Sequence, residues 1–241
     1  MKIKLFTIPN LLTLSNLLCG SFAVVAALVY GNLTLAFQLI ILGAVFDFFD
    51  GFAARLLKCP SPIGVELDSL ADMVSFGFAP AAMFFTMYAE APQLWAWSDG
   101  ALAAGRFALF IMTAFSALRL AKFNIDDTQH TEFCGLTTTA NAMFCASVGW
   151  LTATGRLALP VEAILLLAVA MSLLMVSPIR MFALKFQGFG WKDNSLRYIF
   201  ILLAALLVVL LGGLAIPVAI LLYIAISLVR WFAGRTRSGK A

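Results

Sequence analysis

Charged residues are scarce in this chain: Asp, Glu, Lys and Arg make up 12% of its 241 residues, against about 25% in soluble domains. Polar surface that thin cannot cover a soluble globule. With 63% hydrophobic residues and a mean hydropathy of +1.00, the chain has lipid as its main solvent. The four cysteines, Cys19, Cys59, Cys134 and Cys145, lie far apart with no CxxC pair, which argues against a disulfide framework or a zinc site and leaves free thiols. The single histidine, His130, falls in a polar stretch and reads as a solvated loop residue. Internal repeats, low-complexity segments and a separate soluble domain are all missing, so residues 1–241 are read as one membrane-embedded domain.

The expected fold class is all-α, a polytopic transmembrane helical bundle. A membrane helix needs roughly 20 apolar residues, and candidate spans fall at 9–30, 33–57, 65–88, 100–122, 137–154, 159–180, 196–212 and 214–232. The last pair is short enough to form one re-entrant hairpin instead. Lys2 and Lys4 before the first apolar run suggest a signal peptide, but the run continues to Tyr30, too long for an h-region, and a retained first helix is expected. Basic residues alternate between loops. Arg55 and Lys58 close the second span, Arg119 and Lys122 the fourth, Arg180, Lys185, Lys192 and Arg197 bracket the loop after the sixth, and Arg230, Arg235, Arg237 and Lys240 follow the eighth. The positive-inside bias then puts both termini, and the junction of spans two and three, in the cytoplasm. The basic tail is thus an orientation signal, and no nucleic-acid partner is expected.

Where so little charge exists, its placement is informative. Five of the 12 acidic residues, Asp47, Asp50, Glu66, Asp68 and Asp72, fall in one stretch. A carboxylate at membrane depth costs several kcal/mol unless it is paired or binds an ion, so each is a functional candidate. Asp47, Asp50 and Ala54 share one helical face by their i, i+3, i+7 spacing, and Gly64, Asp68 and Asp72 share a face on the next helix. A short connection with Pro60 and Pro62 makes these helices antiparallel neighbours whose acidic faces converge. Four like charges would repel, and only Arg55 lies near. Divalent cations resolve the conflict, and an all-carboxylate set suits Mg²⁺ or Mn²⁺. Two such ions suit an in-line phosphoryl displacement. Gly51, Ala54 and Gly64 leave room for a pyrophosphate, and Arg55 can hold a phosphate. Alternatively, small residues in membrane helices serve only close packing.

The pattern Asp47-x2-Asp50-Gly51-x2-Ala54-Arg55-x8-Gly64-x3-Asp68-x3-Asp72 resembles the signature of the CDP-alcohol phosphatidyltransferase family at every fixed position, eight residues over 26 positions. The flanks Ile8–Thr13, Ser69–Gly77 with Ala79-Pro80, and Ala117–Asn124 resemble its phosphatidylserine synthase branch. The likeness covers roughly residues 8–140. It implies a six-helix core with extra C-terminal helices over about 159–232. It also implies two divalent metals on Asp47, Asp50, Asp68 and Asp72, with Asp72 as general base as well as ligand. CDP-lipid contacts map onto Gly51, Ala54, Arg55 and Gly64, with Asn10 and Thr13 as further pocket candidates. The implied substrates are CDP-diacylglycerol and L-serine, giving phosphatidylserine and CMP at the cytoplasmic membrane, and a homodimer is a further implication.

The acceptor site is thinner in the sequence. Serine carries a carboxylate and an ammonium, and Arg119 and Asn124 are the candidates to meet it, although Arg119 also fits a mere interface marker and Asn124 a helix cap. Glycerol 3-phosphate, inositol phosphate and choline phosphate chemistry share the core motif. A phosphorylated acceptor should need a denser cluster of Arg and Lys. A transporter would spread its carboxylates along a path and show repeats, which this chain does not.

Overall fold

A computed structural model describes residues 5–126, 132–183 and 190–238. The expectations for Lys2, Lys4, His130, Lys185 and Lys240 lie outside them, as do the side chains of Lys192, Arg235 and Arg237. The described chain is almost wholly helical: α1 (Ile8–Leu28), α2 (Leu33–Leu56), α3 (Pro62–Asp72), a π-helical segment (Met73–Phe78), α4 (Ala79–Glu90), α5 (Asp99–Ala108), α6 (Ile111–Ile125), α7 (Thr138–Ala153), α8 (Val161–Val176), α9 (Trp191–Leu211) and α10 (Ala215–Ser238). Two three-residue strands, β1 (Glu132–Cys134) and β2 (Arg180–Phe182), pair antiparallel.

Five helical stretches are long and apolar enough to cross a membrane: Ile8–Leu28, Leu33–Leu56, Pro62–Glu90, Asp99–Ile125 and Asn194–Ala233. Helix α8 is apolar but shorter. Their outer faces carry large apolar side chains such as Phe22, Phe48, Phe52, Leu118, Leu166 and Val209, all exposed. On a soluble protein such a surface would aggregate; against acyl chains it is the expected face. The chain is an integral membrane protein. The last stretch is not one straight helix. Gly212 takes a left-handed φ of +54°, and the rings of Phe200 and Tyr223 come within 5.9 Å, so α10 folds back along α9.

Helix α4 forms the centre, with Ala79, Ala81, Ala82, Met83 and Phe84 fully buried. Helix α1 packs along α2 and crosses both α3 and the π segment, while α7 lies on α2 and α4. Three features depart from the plain spans read in the sequence. The third span contains the π segment immediately after Asp72, the fourth breaks at Leu109-Phe110 into α5 and α6, and the loops after α6 and α8 meet as the β1–β2 pair.

Two ends of the bundle can be told apart by their ties. At one, Asn124 at the end of α6 donates to Ser69 of α3 (2.8 Å), and Arg230 of α10 pairs with Glu132 of β1 (3.5 Å). At the other, Glu162 at the start of α8 accepts from the backbone N–H groups of Leu94 and Trp95 and from the indole of Trp97 (2.8 Å), pinning the loop after α4.

A close helix approach lies beside the acidic cluster. A Cβ added at Gly20 of α1 would sit 2.6 Å from the Cα of Ser75, and the Ser75 hydroxyl donates to the Asn16 carbonyl at 2.9 Å. Backbone contact this tight is how membrane helices associate when the hydrophobic effect offers nothing. Gly20→Ala should therefore part α1 from the π segment and cost about 1–3 kcal/mol. A lowered thermal midpoint in detergent is expected, with Gly100→Ala unchanged because its added Cβ would meet nothing within 4 Å; equal midpoints for both variants would contradict this packing.

Candidate active site

Two helix ends build the site. Helix α2 terminates through a turn in which Cys59 N–H reaches back to the Ala54 carbonyl (3.1 Å) and Lys58 takes a left-handed φ of 50°. The chain then restarts sharply. Ser61 caps α3, its hydroxyl accepting from Gly64 N–H at 3.2 Å, and Pro62 supplies the preset φ of the first turn. This reversal brings the carboxylates of α2 and α3 together, but the two helices are not the packed neighbours that the proline-containing connection predicts. Helix α1 packs against both, and the acidic side chains meet across the gap between them.

Carboxylate oxygens of Asp47, Asp50 and Asp68 lie within 4.8 Å of one another, close enough to share a cation. Asp72 sits one turn further along α3, outside that triplet but within electrostatic reach of all three. Asp50 and Asp72 are 6% and 8% exposed. Among the described residues no ion pair reaches any of the four. At such separations each like-charged pair is unfavourable by about 3–4 kcal/mol, taking an effective dielectric of about 20. A divalent cation removes that penalty, and a ligand set made only of carboxylate oxygens suits a hard ion. The residues present fit a metal site.

Helix α1 supplies the orienting bonds. The Thr13 hydroxyl donates to Asp50 Oδ2 at 2.6 Å, and the Asn16 amide donates to Asp72 Oδ1 at 3.2 Å. Asn16 is fully buried; its backbone carbonyl accepts from Ser75, but its side-chain Oδ1 lacks a partner among the described residues. Thr13, read as a nucleotide-pocket candidate, thus touches a carboxylate as well. Asn16 was missed. The signal was present: Asn10, Thr13 and Asn16 repeat every three residues and form a polar stripe on an otherwise apolar helix.

Beside the triplet lies a cavity of about 160 Å³. Asn10, Thr13, Gly51, Ala54 and Gly64 all line it, together with Asp50 and Asp68. Gly64 is tightly placed, since an added Cβ would meet Asn10 Oδ1 at 3.4 Å and the Ser61 hydroxyl at 3.2 Å, and those side chains would have to give by a few tenths of an ångström. Arg55 is exposed at the end of α2, its guanidinium over Gly51. Pro9, Cys59, Pro60, Ser61 and Val65 complete the lining. Only the folded connection could place them there.

On the opposite side of Asp72 stands Arg119 of α6, 7% exposed and within electrostatic reach of that carboxylate. Its guanidinium stacks on Phe123 at 4.8 Å and has no hydrogen bond or ion pair among the described residues. Burial with an aromatic neighbour goes beyond the interface-marker reading. Asn124, the other acceptor candidate, is exposed and bonded to Ser69, the residue after Asp68.

Comparison with known proteins agrees with this geometry. The family model described as CDP-alcohol phosphatidyltransferase matches residues 6–176. The CDP-diacylglycerol–serine O-phosphatidyltransferase of Bacillus subtilis (strain 168) is 37% identical over 129 residues, 54% of this chain and 67% of that protein. The protein of the same name from Helicobacter pylori (strain 26695) is 36% identical over 123 residues, covering 50% and 47%. That from Methanocaldococcus jannaschii is 30% identical over 181 residues, covering 73% and 74%. The chain therefore spans between about half and three-quarters of these relatives. With the matched region enclosing every carboxylate and cavity residue described above, the chain belongs to the CDP-alcohol phosphatidyltransferase family.

Proposed function

We propose that this protein transfers the phosphatidyl group of CDP-diacylglycerol to the hydroxyl of L-serine, releasing CMP and giving phosphatidylserine. The observation that carries this reading is the convergence of Asp47, Asp50 and Asp68 beside a cavity lined by Gly51, Ala54 and Gly64. The names of the similar proteins from B. subtilis, H. pylori and M. jannaschii support serine as acceptor. Residues 1–241 act as one membrane-embedded unit. The basic ends of α2 and α6 favour a site on the cytoplasmic side, and the family resemblance favours a pair of copies.

In this scheme Asp47, Asp50, Asp68 and Asp72 hold two divalent ions, Mg²⁺ or Mn²⁺. Bound there, such ions polarise phosphate oxygens and offset charge on the departing CMP. Thr13 fixes the rotamer of Asp50, so that its free oxygen faces the cluster. Gly51, Ala54 and Gly64 let the pyrophosphate approach the helix backbones, with Asn10 and Thr13 beside it and Arg55 at the rim. The serine hydroxyl attacks the phosphorus that carries the diacylglycerol, and the bond from that phosphorus to the CMP oxygen breaks. Asp72, held by Asn16, accepts the hydroxyl proton. A positioned carboxylate of this kind contributes about 10²–10⁴-fold.

Arg119 meets the serine carboxylate in this scheme. Buried without an ionic partner, it is a cation already desolvated and waiting for an anion. Asn124, bonded to Ser69, brackets the acceptor from the solvent side. A single buried guanidinium favours a small zwitterion over glycerol 3-phosphate or inositol phosphate.

Offering the purified chain CDP-diacylglycerol with each of these acceptors in parallel should give metal-dependent CMP release with serine; release with a phosphorylated acceptor alone would overturn the assignment. Asp72→Asn should lower kcat by at least roughly a hundredfold while CDP-diacylglycerol still binds, and full turnover would remove the base role. Arg119→Ala should raise the serine KM on the order of tenfold or more and leave that of CDP-diacylglycerol within about twofold. Equal increases in both would mean that Arg119 is structural.

A further inference from the structure

A second cavity, of about 490 Å³, opens between α7, α9 and α10 and is floored by the β1–β2 pair. Its walls are apolar: Phe133, Met143, Phe182, Phe200 and Tyr223 surround it, and Ala204 and Ala219 leave the room. Tyr223 spends its hydroxyl on the Phe182 carbonyl at 2.9 Å, so the cavity meets its ring and not its oxygen. Helix α9 packs mainly against α10, and the gap is the space left between α9 and α7.

Such a space does not suit water, which needs two to four polar partners. Left empty, it would deprive its lining of dispersion contacts on one side. Packing is what holds membrane helices together, so an apolar occupant is the stable solution. The volume falls in the range of small-molecule sites, about 300–1,000 Å³.

Its position says which apolar group. Phe133 of the wall lies 6.0 Å from the Arg119 guanidinium, and Arg119 is in electrostatic reach of Asp72 on one side and Tyr223 on the other. The cavity therefore begins one side chain from the proposed general base and runs along helices that pass through the bilayer. A lipid with its phosphate at the carboxylates has a tail within reach of it. Both α9 and α10 lie beyond residues 6–176, the region shared with the family.

We propose that this chamber receives one acyl chain of the phosphatidyl donor, which makes the C-terminal hairpin part of the lipid site. The inference rests on the proposed reaction only for the identity of that lipid.

Filling the chamber with Ala204→Phe and Ala219→Phe should raise the KM for dioleoyl CDP-diacylglycerol by at least roughly tenfold, because several methylenes lose their burial. The KM for the dihexanoyl donor and for serine should stay within about twofold. Equal increases for both donors would overturn the proposal. A second measurement needs neither variant nor turnover. The wild-type chain in nanodiscs is irradiated with CDP-diacylglycerol bearing a diazirine near the end of one acyl chain, and the labelled peptides are sequenced. Labels on α7, α9 or α10 support the chamber. Labels confined to other helices overturn it. Labelling of the chamber without any CMP release on adding serine would refute the proposed reaction and leave the lipid site standing, whereas CMP release with labels elsewhere would do the reverse.

Discussion

Three carboxylates held within 4.8 Å of one another in a chain built largely of apolar helices are the constraint around which the rest of this molecule is arranged. Mutual repulsion of several kcal/mol, with no basic side chain paired to them among the described residues, makes the apo arrangement unfavourable on its own. Rigid helix packing must hold it. Ser61 and Pro62 start α3 abruptly, which sets the height of Asp68 against Asp47 and Asp50. Thr13 and Asn16 reach across from α1 to fix Asp50 and Asp72 separately. Three helices thus share the load, and the loss of one contact leaves the others in place.

The π segment after Asp72 has a part in this arrangement. It brings the backbone at Ser75 against Gly20, and the Ser75 hydroxyl holds the Asn16 carbonyl, so the residue that orients Asp72 is itself tied to the element that follows Asp72. Irregular turns of this kind inside helices often accompany functional sites. Here the consequence is local: Asn16 of the α1 stripe and Asp72 of α3 face each other at hydrogen-bond distance. On the other side, Arg119 is kept buried by Phe123 and Phe133, which leaves a desolvated cation one step from Asp72. In the proposed reaction the carboxylate cluster would serve the nucleotide and metals, and this guanidinium the small acceptor.

Much of this was legible in the sequence because charge is expensive in lipid. Asp47, Asp50, Asp68 and Asp72 stood out against an apolar background, and their helical spacing placed them on facing stripes. Helices followed from hydropathy, although five stretches are long and apolar enough to cross a membrane where eight spans were expected, and Gly51, Ala54 and Gly64, in register with the acids, line the cavity. What escaped was whatever depends on the path between helices. The π segment leaves no mark in composition. The break at Leu109-Phe110 lies within a continuous apolar run. The three-residue strands are too short for any periodicity and exist only because the folded bundle brings two distant loops together. Asn16 escaped for a different reason: the Asn10–Thr13–Asn16 stripe was visible, but hydrogen bonding within its own helix would have explained it equally well. The cavity beside α9 was out of reach, since it consists of space left by helices that do not pack closely.

The central claim is that the carboxylate cluster is a divalent-cation site. Mn²⁺ titration of the purified chain, followed by electron paramagnetic resonance in the presence of CMP, tests it most directly. The account predicts saturable loss of the free-ion signal, with a spin-coupled pair of ions at saturation, and loss of this binding in Asp68→Ala although its metal-free thermal midpoint is no lower than that of the wild type. Mn²⁺ binding that is equally strong in that variant would contradict it.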